Sequence, residues 1–293
     1  MTVAEQDPIL LHADAGLFRE AVSFTAAETG FALRLIEKDY FCTVLLQHLA
    51  AAMSELIFKG GTCLAKVHAG FYRMSQDLDF AIPMPISAAR SARSRRAAGL
   101  KEAVSRIDRH LSAFRVVTAL RGASNSTQYN ATLGYTSLLG RQEETIRIEV
   151  SLRESLLEPS VQGAAQTILL DPISGSPLVP VLIVPCISRD EALAEKLRAA
   201  LSRREVAIRD FYDVDHAVRR LGLRPEGSRC VELVRRKLTV AGNDPVDVSA
   251  ARLAALRTQL ESELKPVLRP RDFAKFDLER AFATVARVAA ALA

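Results

Sequence analysis

Apolar residues recur at three- and four-residue steps over residues 15–30 and again over 32–53, the spacing of a helix face. In the second stretch Leu35, Cys42, Leu45, Leu46 and Leu49 share a face, leaving Glu37, Lys38 and Asp39 toward one end. The texture then changes. "ELIFK" (55–59) reads as a short buried strand, Gly60 and Gly61 punctuate it, and "TCLAKVH" (62–68) returns to a helical pattern. After Gly70, "DLDFAIP" (77–83) alternates like a strand, which places Asp77 and Asp79 on one side because strand side chains repeat every two residues. An arginine-rich helix is expected over 89–110, followed by β-type runs at 114–121, 126–137 and 144–153 separated by polar turns.

From about residue 188 the pattern is helical to the end, over 188–204, 209–222, 230–242, 248–264 and 276–293. Ser188 with Glu191 three residues on is a capping-box signature, and Gly222 is a helix stop. The expected organisation is a mixed α/β domain over residues 1–187, N-terminal helices included, and a helical domain over 188–293 that contributes to the active site. Residues 172–177, "PISGSP", read as a surface loop, and no internal repeat is visible.

The 293 residues carry 49% hydrophobic and 25% charged residues, a globular composition, and no apolar run approaches the ~20 residues of a membrane span. The first sixteen residues hold acids where a signal peptide has bases, which points to a cytoplasmic protein. Cys42, Cys63, Cys186 and Cys230 are scattered, without a Cys-x-x-Cys pair or a neighbouring His cluster. That spacing argues for reduced core thiols and against zinc ligation or a disulfide framework. The net charge of +5 suits a polyanionic partner without establishing one. Basic residues concentrate at 89–110 and 224–238, where solvated helix faces are an equal explanation.

Two carboxylates side by side on a strand repel unless a cation or solvent offsets the charge, and a divalent metal does so while also holding substrate phosphates. Asp77 and Asp79 fit that role, although an exposed strand face gives the same triplet. Gly60-Gly61-Thr62 entering a helix changes the balance: backbone N–H groups and a positive dipole end face outward, and no Cβ keeps a phosphate away. Thr62 adds a hydroxyl donor. Glu149, in a strand otherwise filled by Ile146, Ile148 and Val150, is the best candidate for a third metal-proximal carboxylate, with a solvated polar face shared with Arg147 and Ser151 the alternative. Lys59 and Arg73 border the cradle, where they either contact phosphate or pair with surface carboxylates. Lys196 and Arg203 share a helix face, with pairing to Glu191 or Glu195 the plain alternative. Asp213 lies one turn from Arg209, which would hold it within the helix.

"EKDYFCTVLLQHLA" (37–50), "FKGGTCLAKVHAGFYRMSQDLDF" (58–80), "IRIEVS" (146–151) and "ALAEKLRAALSRREVAIRDFYDV" (192–214) resemble, in order and approximate spacing, the motifs of the AbiEii/AbiGii nucleotidyltransferase-toxin family, which includes the MenT toxins. The resemblance covers roughly residues 30 to 220. It implies an α+β fold: a DNA-polymerase-β-like nucleotidyltransferase core with a small mixed sheet, plus the C-terminal helical bundle. It further implies that Ser75 contacts nucleotide phosphate, that Lys196 binds the triphosphate and that Asp213 is needed for activity. Thr62 stands where the wider superfamily has serine, and the stretch to Asp77 is long, both normal within the toxin family.

The resulting expectation is a nucleotidyltransferase using a nucleoside triphosphate and magnesium, or manganese. Asp77, Asp79 and Glu149 hold metal, and Lys59, Gly60, Gly61, Thr62, Arg73, Ser75 and Lys196 hold nucleotide. Asp77, Asp79, Glu149, Lys196 and Asp213 carry catalysis. The resemblance implies that the acceptor is the 3′ end of tRNA, that its modification blocks aminoacylation and hence translation, and that a cognate antitoxin, an AbiEi-like repressor, is encoded nearby. The chain is expected to act as a monomer away from membranes. A protein or small-molecule acceptor, a metal-dependent nuclease, and a non-catalytic RNA- or protein-binding module are the alternatives.

Overall fold

The computed structural model describes residues 7–293; residues 1–6, part of the stretch weighed against a signal peptide, lie outside the described residues. The chain divides into two compact units, one ending at Ile187 and the other beginning at Ser188.

In the first unit, α1 (Ala15–Thr29) starts where the Asp14 carboxylate accepts from the Gly16 and Leu17 N–H groups, and stops at Gly30 with φ of 80°. In α2 (Leu33–Ala52), 14 of the 20 residues are buried, so this helix is covered on nearly every side rather than on one stripe. Its aromatic residues knit it to the sheet: Phe41 stacks on Tyr135 at 4.2 Å between ring centroids.

The strands are β1 (Ile57–Lys59), β2 (Leu78–Ala81), β3 (Phe114–Ala123), β4 (Gln128–Thr136), β5 (Glu143–Ser151), β6 (Val161–Ala165) and β7 (Leu182–Cys186). They form one mixed sheet in the order β3-β4-β5-β2-β1-β7-β6. β2 runs parallel to β5 and β1 parallel to β7, while the remaining neighbours are antiparallel. The mixed α+β architecture agrees with the sequence, but β6 and β7 extend the sheet beyond the strands foreseen there. Between β1 and β2 the chain makes α3 (Gly60–Cys63) and a wide π-helical turn, Leu64–Ala69. The arginine-rich stretch breaks into α4 (Arg90–Arg96), α5 (Ala98–Ser105) and α6 (Ile107–His110). Arg93 there is buried, donating to the carbonyls of Leu152 and Ile86, so part of the apparent basic face is internal scaffolding.

The second unit is helical: α7 (Arg189–Ser202), α8 (Ile208–Arg220), α9 (Ser228–Leu238), α10 (Ala250–Gln259), α11 (Pro270–Phe273) and α12 (Leu278–Leu292). The Ser188 hydroxyl caps α7 by accepting from the Glu191 N–H at 3.1 Å, and Gly222, with φ of 70°, follows the end of α8. The Glu191 carboxylate holds Lys237 of α9 at 2.7 Å, with Glu195 on the same ammonium at 3.1 Å. Lys237 is therefore a buried tie between helices and not part of a basic surface. Among the described residues no helix is long and apolar enough to cross a membrane.

Candidate active site

The glycine turn sits directly against the acidic strand. Gly60 has φ of 74°, a conformation costly for residues with a Cβ, and a Cβ built there would lie 2.7 Å from the Cβ of Asp79. A Cβ on Gly61 would lie 2.6 Å from the Arg73 Nη2 and 3.2 Å from the Ser75 Oγ. Both glycines are thus required by close approach, the first to an acid and the second to a cation and a hydroxyl. Thr62 is buried and its hydroxyl donates to the Asp77 carbonyl, so it ties the cradle helix to the acidic segment instead of presenting a donor outward. Arg73 is also buried, with Nη1 donating to the Met74 carbonyl at 3.1 Å.

Register, which periodicity cannot supply, places the third carboxylate. Asp79 pairs with Lys59 on one side and with Glu149 on the other. Continuing across β4 and β3, Glu149 faces Asn130 and Asn130 faces Arg121. Residues opposed in register project from the same face, so Lys59, Asp79, Glu149, Asn130 and Arg121 form one polar row across five strands. Asp77 immediately precedes β2, and Arg147 on β5 approaches its Oδ2 at 3.7 Å. Asn130 and Arg121 were not singled out in the sequence because each becomes a neighbour of the acids only through strand pairing, and the approach of Arg147 to Asp77 likewise needs β5 beside β2.

α2 supports this site from behind through three consecutive polar residues. Lys38 donates to the Gln76 side chain at 3.2 Å, fixing the segment between Ser75 and Asp77. Asp39 pairs with Lys66 at 2.6 Å, both buried, and accepts from the Thr167 hydroxyl and the Ile168 N–H. Lys66, in the turn after the cradle helix, also donates to the Thr43 hydroxyl and the Gln166 carbonyl. Glu37 accepts from Ser137 and from the Leu138 N–H, and burial pushes its carboxyl above the ordinary value. The "EKD" triplet therefore braces three separate segments, a role its helical spacing alone conceals.

The cysteines differ in environment. Burial pushes the Cys42 thiol up to about 12. Cys186 is drawn down to about 6 by a hydrogen bond from Cys63, against the opposing effect of burial and with help from His68. The sequence separation of these three residues hides the grouping that the fold creates.

A family model described as nucleotidyl transferase AbiEii toxin, type IV TA system, matches residues 44–288. The chain belongs to the AbiEii family. Its match spans the glycine cradle, the acids and most of the second unit, and membership makes the protein a nucleotidyltransferase toxin with an antitoxin counterpart. Among solved structures, MenT4, the nucleotidyltransferase toxin Rv2826c from Mycobacterium tuberculosis H37Rv, is similar in fold, with a TM-score of 0.57 and 22% identity over 94% of this chain and 99% of that one. JHP933 from Helicobacter pylori gives a TM-score of 0.47 at 15% identity, covering 89% of this chain and 88% of its own. No curated protein matches the chain.

Within the second unit of this AbiEii protein, Lys196 is clamped between two aspartates, Asp210 at 3.0 Å and Asp213 at 2.9 Å. Arg203 reaches the other oxygen of Asp210 at 3.4 Å. The pairing of Lys196 with Glu191 or Glu195, weighed in the sequence, is replaced by pairing across to α8, while those glutamates serve Lys237. The Asp213 side chain has 0% exposure and Lys196 14%, so the carboxylate is a buried support beneath a partly accessible ammonium. Asp210 was missed in the sequence because only the packing of α7 on α8 makes it a partner of Lys196.

Asp79 and Glu149 are in register on adjacent strands and Asp77 immediately precedes β2, which puts three hard-oxygen donors along the start of β2 and the β5 segment beside it, although their oxygens are not drawn into one cluster as the donor atoms of Cys63, His68 and Cys186 are. That donor set fits a divalent cation such as magnesium, which favours carboxylates together with substrate phosphates over nitrogen or sulfur ligands.

Proposed function

We propose that this AbiEii protein transfers a nucleotide from a nucleoside triphosphate to the 3′ end of tRNA, and that the altered end blocks aminoacylation and translation. The observation that carries the reading is the direct approach of Gly60 to Asp79: the phosphate cradle and the carboxylate end of β2 are one local structure. Triphosphate oxygens would lie on the backbone N–H groups at the start of α3, where the absence of side chains at Gly60 and Gly61 admits them. Ser75 and Arg73, both packed over Gly61, supply a hydroxyl and a positive charge beside the same turn. Lys59, next to Asp79 in the ladder, adds a second cation.

Asp77, Asp79 and Glu149 would hold magnesium, or manganese, which supplies charge neutralisation at the phosphates and acidifies an acceptor hydroxyl. The attacking 3′-oxygen forms a bond to the α-phosphorus, the bond to the β,γ-pyrophosphate breaks, and the hydroxyl proton passes to a carboxylate or to solvent. Thr62 acts as a positioning residue through the Asp77 backbone. The family resemblance assigns Lys196 to the charge of the departing pyrophosphate, and Asp213 and Asp210 position its ammonium. The net positive charge favours a polyanionic acceptor, and the reading pairs the toxin with an AbiEi-like antitoxin in the cytoplasm.

Incubation with each α-labelled nucleoside triphosphate, with total RNA in one arm and RNA-free lysate in the other, tests the acceptor. Label on tRNA, mapped to the 3′ end and absent with Asp79→Asn, is the expected result. Label confined to protein or to a small molecule would overturn the tRNA reading while leaving nucleotidyl transfer intact.

A further inference from the structure

Behind the cradle, on the β7 side of β1, lies a second group of metal-binding side chains that the transfer chemistry does not use. Cys63 closes α3, His68 lies in the π-helical turn that follows, and Cys186 ends β7. One donor atom from each falls within 4.8 Å of the other two. Cys63 and Cys186 are fully buried. The turn makes this possible: a π-helical segment is wider than an α-helix and returns residue i+5 over residue i, and such turns recur at functional sites.

Two further features prepare the group for a ligand. The His68 Nε2 lies 3.0 Å from the Ile187 carbonyl, which can only accept, so Nε2 carries the proton and Nδ1 keeps its lone pair. An outer carbonyl that fixes the tautomer in this way accompanies metal-bound histidines generally. At Gly163 on β6 a Cβ would lie 2.5 Å from the Cys186 sulfur and 2.7 Å from the Val67 Cγ1, so the glycine makes the room this sulfur occupies.

We propose that Cys63, His68 and Cys186 form a binding site for one thiophilic metal ion, of the zinc(II) or copper(I) class, distinct from the carboxylate site. Two sulfurs and an imidazole nitrogen select such soft or borderline ions over magnesium. Metal–sulfur bonds of ~2.3 Å imply donor separations of about 3.7 Å, so from donors that already lie within 4.8 Å of one another the side chains need to close by about 1 Å at most. The ion would pin the end of the cradle helix to β7, leaving the three ligands as two thiolates and a neutral imidazole and releasing the thiol protons to solvent.

The test uses the full-length protein, reduced and stripped of metal, titrated with Zn²⁺ and with Co²⁺, and separately with Cu⁺ against a copper(I)-selective chelator. The expected result is about one equivalent of Zn²⁺ or Cu⁺ per chain and, with Co²⁺, a near-ultraviolet thiolate-to-cobalt band that carboxylates cannot produce. Cys186→Ser and His68→Gln should each weaken binding by about 100-fold or more and remove the band, while Cys42→Ser should leave both unchanged. His68 is only half-buried, so His68→Gln reports on the site even if Cys186→Ser does not fold. Absence of the band, a band that persists in both variants, or an intact mass showing a Cys63–Cys186 disulfide in the protein purified without reductant would overturn the proposal.

Discussion

Asp79 stands at the centre of the account, against Gly60 on one side and in register with Glu149 on the other. Asp79→Asn keeps the shape and removes the charge, so transfer should fall by on the order of 10²–10³-fold or more while thermal stability is kept or raised, as one of two facing carboxylates is neutralised. Gly61→Ala should also lose activity, because the new methyl group would lie 2.6 Å from the buried Arg73 Nη2 and must displace it. A raised KM for the nucleotide with a modest change in melting temperature would match that expectation. Lys196→Met removes the ammonium from the fully buried Asp213 carboxylate, which costs up to about 3–5 kcal/mol, so its kinetics must be read beside a melting curve. If Lys196 serves pyrophosphate, the Lys196→Met, Asp213→Asn double variant should regain stability without regaining kcat. The glycines and the first two acids were legible in the sequence because their meaning is local: a turn, a hydroxyl and a two-residue alternation. Lys196 was legible only by resemblance, and its partners were misassigned because Glu191 and Glu195 are its neighbours in sequence, whereas packing delivers Asp210 and Asp213 from α8.

At the level of elements, α2 and the turn after α3 are joined by a buried ion pair. The Asp39–Lys66 pair is buried at both ends, so removing either partner strands a charge. Lys66→Met should cost about 3–5 kcal/mol in denaturant unfolding, and Asp39→Asn added to it should recover part of that loss. Helices were read well from their 3.6-residue pattern, as were the strands on the β5 side. β6 and β7 were not. Gly163 and the neighbouring alanines give β6 little apolar alternation, Pro185 interrupts β7, and β7 owes its place to parallel pairing with a strand about 130 residues earlier in the chain. The same long-range pairing assembles Cys63, His68 and Cys186, which spacing along the chain had argued against. Asn130 and Arg121 join the acids for a like reason, since strand register, once a core face is chosen, is fixed by partners and not by the strand alone.

For the whole molecule, acid should be destabilising. Burial pushes the His216 imidazole from 6.5 down to about 4, against Asp213, Asp215 and Asp272 and with Arg220. His12 and His48 are lowered by burial in the same sense. Between those values the unfolded chain binds protons that the native state refuses, so stability is fullest above pH 6.5 and falls as pH drops toward 4. Glu144, lowered by its hydrogen bond with Arg34, adds to the loss below its ordinary 4.5. Glu37, raised by burial, opposes it, contributing most below 4.5 and less as pH rises. The melting temperature should drop by several degrees from pH 7 to pH 4.5, and His216→Gln should flatten part of that slope.

Nucleotide transfer is assigned to the carboxylates of β2 and β5 beside the glycine cradle. Its most direct test is end-sequencing and labelling of RNA after reaction with purified protein, each nucleoside triphosphate and magnesium, with Asp79→Asn alongside. The account predicts 3′-extended tRNA with the parent chain and none with the variant. RNA that is shortened, or equally extended by the variant, would contradict it.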